Sequence, residues 1–124
     1  MIKHFDTIAI YVDDQERSLE FWTKQIGFEE RRRISMGNGF SWMEVAPRGA
    51  QSGFVLYPRA LMTNWTELKP SVVFRCDDID ATCAELKSKG VRFAKELAQL
   101  PWGKFASFLD PDDNEFGLRG PWDS

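Results

Sequence analysis

Hydrophobic and polar residues alternate in two short segments that lie half a chain apart. The first, residues 7–14, reads TIAIYVDD, and the second, residues 71–78, reads SVVFRCDD. Alternation with a period of two predicts a β-strand with one buried face. Each strand ends in a pair of aspartates, and an aspartate before an amphipathic run is a helix N-cap signal because its carboxylate accepts hydrogen bonds from the first turn. The two copies indicate an internal repeat.

Apolar residues recur at helical spacing after each aspartate pair. They are Leu19, Trp22 and Ile26 in the first copy and Ile79, Cys83 and Leu86 in the second. The spacing predicts helices near residues 15–25 and 79–89. Each ends at a glycine, Gly27 or Gly90, a residue suited to the left-handed conformation that follows many helices.

Three β segments are predicted after each helix. They span residues 28–34, 39–46 and 53–57 in the first half and residues 92–94, 104–109 and 115–118 in the second. Turn-rich stretches at 36–38, 47–49 and 110–114 separate neighbouring segments. The order predicts an α+β fold of two tandem βαβββ modules. Module one covers about 1–58, a linker about 59–69, module two about 70–120 and a tail 121–124, together a single domain over residues 1–124.

Composition narrows the class of protein. The chain has 124 residues, 43% of them hydrophobic, with a net charge of −3. This charge argues against a nucleic-acid partner, which normally requires a basic face. No apolar stretch is long enough for a membrane helix and the N-terminus has no signal-peptide core, so we expect a cytoplasmic protein without a membrane partner. The spacing of Cys76 and Cys83 matches no metal or redox motif, which predicts two buried thiols.

Several stretches together resemble a known family. They are residues 8–14, 18–22, 26–28, 77–80, 86–91, 101–103 and 108–114. In this order they resemble the vicinal oxygen chelate superfamily, which includes glyoxalase I, extradiol dioxygenases, fosfomycin-modifying enzymes and bleomycin-resistance proteins. The resemblance implies that the modules curl their sheets into a cleft, which in the enzymes holds a divalent metal. It also implies a homodimer.

The positions of the family's metal ligands carry unsuitable residues. The resemblance places them at Thr7, at Ser71, at Gly117, and at Gly53 or Phe54, where the family has His or Gln on the first strand of a module and Glu on the last. Hydroxyls are poor ligands for such metals, and Gly and Phe have no ligand atom. The single histidine, His4, is three residues too early and faces the other side of the strand. We therefore predict no metal and no other cofactor, and a cleft enlarged by the smaller residues.

Without a metal, the cleft implied by the resemblance is predicted to be a binding site for an organic molecule. Its candidate ligand-binding residues are Thr7, Tyr11, Trp42, Ser71, Arg75, Trp102, Glu115 and Gly117. Arg75 and Glu115 could pair to orient a ligand or form a structural salt bridge. No catalytic residue is predicted, because the chain has no nucleophile–histidine pair and no glycine-rich phosphate loop.

The first functional hypothesis is a metal-independent protein of the glyoxalase/bleomycin-resistance type. It binds a small organic molecule of unknown identity in an aromatic-lined cleft, as in the sequestration of an antibiotic or a toxin. The alternative is a lyase, isomerase or dioxygenase of the same superfamily with an atypical metal site or a metal-free mechanism. A structural or regulatory partner-binding domain is a third interpretation.

Overall fold

Two compact units make up the protein. The computed structural model describes Met1, residues 5–101 and residues 103–121, with the backbone alone at Trp65. Unit one spans Met1–Pro70 and unit two spans Ser71–Ser124. Each unit consists of a strand, a helix and three further strands, which confirms the predicted α+β class and the βαβββ repeat.

Unit one contains a four-stranded mixed sheet. Its elements are β1 (Thr7–Val12), α1 (Gln15–Glu20), a π-helical turn (Phe21–Gln25), β2 (Glu29–Gly37), β3 (Phe40–Ala46) and β4 (Gly53–Pro58), followed by 3-10 turns at Arg59–Leu61 and Trp65–Glu67. The strand order is β1-β4-β3-β2. β1 runs parallel to β4 because the chain crosses over through the helix and the β2–β3 hairpin, and the other neighbours are antiparallel.

Unit two repeats this topology. Its elements are β5 (Val72–Arg75), α2 (Ile79–Ser88), β6 (Arg92–Leu100), β7 (Gly103–Leu109) and β8 (Glu115–Arg119). The order is β5-β8-β7-β6, with β5 parallel to β8. No helix in the described part of the chain is long and apolar enough to cross a membrane.

The predicted aspartate caps form in both units. The carboxylate of Asp14 accepts a hydrogen bond from the Arg17 amide at 3.2 Å, and that of Asp78 accepts one from the Ala81 amide at 3.1 Å. The first helix continues as the π-helical turn, in which the Ile26 amide donates to the carbonyl five residues earlier at 3.1 Å. The predicted helix at 15–25 is therefore α-helical only in its first half.

Each sheet buries one face beneath its helix. In unit one Trp22 is fully buried, and its ring contacts Phe54. In unit two the rings of Phe74, Phe108 and Phe116 stack on one another. Both cysteines are free and buried, as predicted, and burial is the largest cause that raises the pKa of each thiol.

Two hairpins differ from the sequence prediction. β2 continues through Gly37, and the turn falls on Asn38 and Gly39, both with positive φ (56° and 80°). An Asn-Gly pair of this kind forms the tight hairpin turn whose twist matches that of the flanking strands. β6 extends to Leu100 rather than Ala94 because its pairing with β7 continues to Gly103.

Asp110 is a fully buried carboxylate that holds the β7–β8 turn. Its Oδ1 accepts hydrogen bonds from the amides of Asp112 (3.0 Å) and Asn114 (2.8 Å), and its Oδ2 accepts one from Asn114 Nδ2 (3.1 Å). Burial raises the pKa of this carboxyl, and the hydrogen bonds from Asn114 oppose the rise.

The raised pKa of Asp110 sets the sign of a pH effect. The folded protein binds the proton of the Asp110 carboxyl more tightly than the unfolded chain does. The contribution of Asp110 to the free energy of unfolding is therefore largest below its unfolded pKa of about 3.9, and it decreases as pH rises through the folded pKa. We expect the unfolding free energy of wild type minus that of Asp110→Asn to decrease from pH 4 to pH 7. Urea denaturation of both proteins across this pH range measures the difference. A difference that grows with pH contradicts the raised pKa of Asp110.

Candidate functional site

Three aromatic rings form a row on the face of the unit-one sheet that lies opposite the helix. Tyr11 on β1 pairs in register with Tyr57 on β4, and their ring centroids are 6.0 Å apart at an angle of 80°. Trp42 on β3 meets the other side of Tyr57 at 6.3 Å and 82°. Edge-to-face contacts at these distances are favourable for aromatic pairs. We call these three half-buried residues the aromatic row.

A buried carboxylate lies on the same face as the aromatic row. Glu44 is two residues from Trp42 on β3 and pairs in register with Val55 on β4. It is 6% exposed, and its Oε2 lies 3.4 Å from Nε of the exposed Arg32. A carboxylate withdrawn from water requires a partner, and Arg32 supplies one from the solvent side. The face therefore combines an apolar aromatic surface with a hydrogen-bond acceptor.

Two members of the aromatic row, Tyr11 and Trp42, were predicted from the sequence, whereas Tyr57 and Glu44 were not. Thr7 lies on the same face at the start of β1, half-buried and in register with Gly53. Tyr57 had a signal in the sequence, because alternation from Gly53 places it on the same side. Glu44 had none, since a lone glutamate in a strand usually points to solvent.

The unit-two face carries basic residues and one phenylalanine ring. Arg75 on β5 pairs in register with Arg119 on β8, and Arg119 pairs with Phe105 on β7. A Cβ added at Gly117 would meet Phe105 Cζ at 2.9 Å and Val73 Cγ2 at 3.1 Å. The Phe105 ring therefore occupies the space above Gly117, and the expectation that this glycine enlarges the site is wrong.

The Arg75–Glu115 pair considered from the sequence does not form. Glu115 Oε2 instead accepts a hydrogen bond from Ser107 Oγ at 2.7 Å and lies 4.0 Å from Lys95 Nζ. Glu115 precedes Arg119 by four residues on β8, which is about 13 Å along a strand, and this separation explains the missing pair. Ser71 is exposed and precedes β5. Trp102 and His4 lie outside the described residues.

The residues at the family's ligand positions do not fit a metal in either unit. Ala9 in unit one and Val73 in unit two are equivalent residues of the repeat, each two residues after the first-strand ligand position. The register partner of Val73 on β8 is Gly117, and the register partner of Ala9 on β4 is Val55. Val55, rather than Gly53 or Phe54, therefore occupies the last-strand ligand position of unit one. A Cβ on Gly53 would come within 2.6 Å of the Val45 carbonyl oxygen. Within the described ranges no three His, Cys, Asp or Glu side chains come together as metal ligands would.

Each unit also has a depression at the N-terminus of its helix. One, of about 430 Å³, is lined by Asp13, Asp14 and Glu16 among others. The other, of about 370 Å³, is lined by Asp77, Asp78 and Asp80 among others. Two of these carboxylates cap the helices, and none of the residues that line either depression is a predicted ligand-binding residue. The candidate site is therefore assigned to the sheet faces.

The doubled βαβββ fold and the sheet faces define a class of protein. The chain belongs to the Glyoxalase/Bleomycin resistance protein/Dioxygenase superfamily, whose family model matches residues 4–118. The family resemblance that was drawn from the sequence motifs is therefore confirmed.

Particular relatives are similar over almost the whole chain. The protein YetH of Bacillus subtilis (strain 168) is 44% identical over 119 residues, which cover 96% of this chain and 99% of YetH. The crystal structure of TnmS3, an antibiotic binding protein from Streptomyces sp. CB03234, superposes with a TM-score of 0.81 at 34% identity and covers 97% of each chain. A member of the same superfamily from Sphaerobacter thermophilus DSM 20745 superposes with a TM-score of 0.86 at 29% identity, covering 97% of this chain and 98% of its own.

Proposed function

We propose that this protein binds a small organic molecule without a metal, and that the aromatic row of unit one is its main contact surface. The observation that carries the proposal is the edge-to-face arrangement of Tyr11, Tyr57 and Trp42 with buried Glu44 beside it. A planar aromatic ligand gains contact area on such a row, and the carboxylate can accept one of its hydrogen bonds. The similarity to the antibiotic-binding TnmS3 supports sequestration of an antibiotic or a toxin.

Metal independence forms part of the proposal. The side chains at Thr7, Val55, Ser71 and Gly117 supply two neutral hydroxyls, which do not compensate the charge of a divalent ion. Binding should therefore be the same before and after treatment with a chelator. A lyase, isomerase or dioxygenase with an atypical metal site would lose its activity under that treatment.

The homodimer, the cytoplasmic location and the single-domain layout stay predictions. Exposed Ile34 and Met36 on the edge strand β2 support association of two copies, because they leave apolar surface open to water.

Calorimetric titration tests the proposed function. The probes are bleomycin and daunorubicin, an antibiotic with fused aromatic rings, each titrated into chelator-treated protein. We expect one molecule bound per chain for at least one probe. Trp42→Ala and Tyr57→Ala should each weaken binding by about tenfold, the loss of about 1.4 kcal/mol expected when a stacked aromatic contact is removed.

Phe93→Ala is the matched control. Its ring lies in unit two beneath Lys87 Nζ, 5.2 Å from the ring centroid, and so belongs to the helix side of that sheet. We expect its affinity to stay within about twofold of wild type, because its ring packs against Lys87 of α2 and is not part of the proposed contact surface. Binding of neither probe, or equal affinities for Trp42→Ala and wild type, contradicts the proposal.

A further inference from the structure

The central ring of the aromatic row stands nearly at right angles to both of its neighbours. Tyr11 meets Tyr57 at 80° with 6.0 Å between the ring centroids, and Trp42 meets Tyr57 at 82° and 6.3 Å. Two rings at a right angle form a corner, and a flat ring can stack on only one wall of a corner. A rounded ammonium group contacts both walls at once, and aromatic walls of this kind attract it through cation–π interactions.

No cation of the described part of the protein already occupies the row. Tyr11, Trp42 and Tyr57 are half-buried, and no described lysine or arginine lies over any of the three rings. The cation–π contact that the structure does show, between Lys87 and Phe93, is in unit two. The faces of the row can therefore take a cation from a ligand.

A buried carboxylate supplies negative charge beside the row. Glu44 is 6% exposed and lies two residues from Trp42 on the same face of β3. Its Oε2 is 3.4 Å from Arg32 Nε, whereas charge-assisted hydrogen bonds between such groups are about 2.7–2.9 Å long. No described residue donates a hydrogen bond to this carboxylate. A buried charge with so distant a partner is stabilised further by a cation beside it.

The equivalent places in unit two carry different groups. Arg75 takes the place that Tyr11 has in unit one. Its register partner Arg119 takes the place of Tyr57, so that an arginine pair replaces two rings of the row. Ser107 takes the place of the buried glutamate. The combination of aromatic corner and carboxylate belongs to unit one, and we expect one such site per chain.

We propose that the corner formed by Trp42 and Tyr57, with Glu44 beside it, binds the ammonium group of an organic cation. The rings supply cation–π attraction and the carboxylate supplies the opposite charge in a place largely withdrawn from water, where both are stronger than in solvent. The apolar part of the ligand packs along the row on Tyr11. The inference rests on the proposed function, because it names the class of ligand for the same face: an amine or a quaternary ammonium compound.

Two matched pairs of probes test the site by calorimetric titration of the full, chelator-treated chain. Choline is compared with its uncharged isostere 3,3-dimethylbutan-1-ol. Daunorubicin, which carries a protonated amine, is compared with N-acetyldaunorubicin, which has the same fused rings without the charge. We expect the charged member of each pair to bind at least about tenfold more tightly, the size expected for a desolvated cation–π contact.

The two pairs separate this inference from the proposed function. Equal binding of daunorubicin and N-acetyldaunorubicin leaves the proposed function in place and overturns the ammonium site. If neither of these two compounds binds, the proposed function is contradicted for fused-ring ligands, and the choline pair decides on the ammonium site. A tenfold preference for choline then supports the site, and equal or undetectable binding of choline and its isostere overturns it.

Substitutions in unit one locate the site. Glu44→Gln removes the charge with little change in shape and should weaken choline binding by about tenfold, while Glu44→Asp keeps the charge and should lose less. Tyr57→Leu keeps apolar surface but removes the ring, and should also weaken choline binding by about tenfold. Affinity for 3,3-dimethylbutan-1-ol should stay within about threefold in all three variants, because the isostere carries no charge.

Glu20→Gln is the matched control for Glu44→Gln. It removes the same charge from the exposed end of α1, on the other side of the unit-one sheet, and should change choline affinity by less than about twofold because solvent and salt screen it. A general disturbance of the fold weakens choline and its isostere alike, so the ratio of their affinities is the decisive measure. An unchanged ratio in both Glu44→Gln and Tyr57→Leu would falsify the proposal.

Discussion

Replacing Trp22 with alanine is expected to lower the free energy of unfolding by about 3–5 kcal/mol, the largest effect of any substitution proposed for this protein. Trp22 is fully buried, and its ring centroid lies 5.3 Å from that of Phe21, 5.2 Å from that of Phe28 and 5.1 Å from that of Phe54. The substitution removes the transfer energy of an indole ring and leaves a cavity that three rings cannot fill without shifting. Urea denaturation at pH 7, followed by circular dichroism, measures the change.

Trp42→Ala is the matched comparison for Trp22→Ala. It removes the same side chain from the same unit, but from the half-buried aromatic row, so its loss should be clearly smaller. A loss for Trp22→Ala that is no larger than that for Trp42→Ala contradicts the assignment of Trp22 as the centre of the unit-one core.

The second large effect is expected at Gln15, the first residue of α1. Its Nε2 donates to the Ser41 carbonyl at 2.6 Å and to the Leu56 carbonyl at 2.7 Å, and its Oε1 accepts from the Ser41 amide at 3.2 Å. The side chain thus joins the helix to β3 and β4. Gln15→Leu keeps a similar volume but leaves backbone groups without partners, and we expect a loss of about 2–4 kcal/mol.

Gln51→Leu provides the control for Gln15→Leu. Gln51 is exposed, and the same change there should alter the free energy of unfolding by less than about 0.5 kcal/mol. Denaturation curves of both variants and wild type are compared in urea. If Gln15→Leu is as stable as Gln51→Leu, the hydrogen bonds of Gln15 do not hold the helix to the sheet.

The candidate site was only partly predictable from the sequence. Tyr11 and Trp42 were found by alternation along single strands, which needs no knowledge of neighbours. Their contact through Tyr57 depends on the parallel pairing of β1 with β4, which joins residues 46 positions apart in register. The arginine pair was hidden in the same way, because Arg75 and Arg119 become neighbours only when β5 pairs with β8.

The error at Gly117 has a physical cause of its own. A glycine at a ligand position indicates empty space when each strand is considered alone. The Phe105 ring crosses from β7 and covers it, since a large side chain packs readily over a strand residue without a Cβ. The residue that fills such a space comes from a neighbouring strand, so it depends on how the strands pair.

The repeat, the aspartate caps at Asp14 and Asp78, and the order of strands and helices could all be predicted from local patterns, because capping, alternation and helical spacing are local properties of the chain. The choice of neighbouring strands and their register is made in the folded protein. That choice depends on how each sheet buries its apolar face around Trp22 or around the stacked Phe74, Phe108 and Phe116. The aromatic row of unit one and the arginine pair of unit two are consequences of that register, so neither could be predicted from any segment alone.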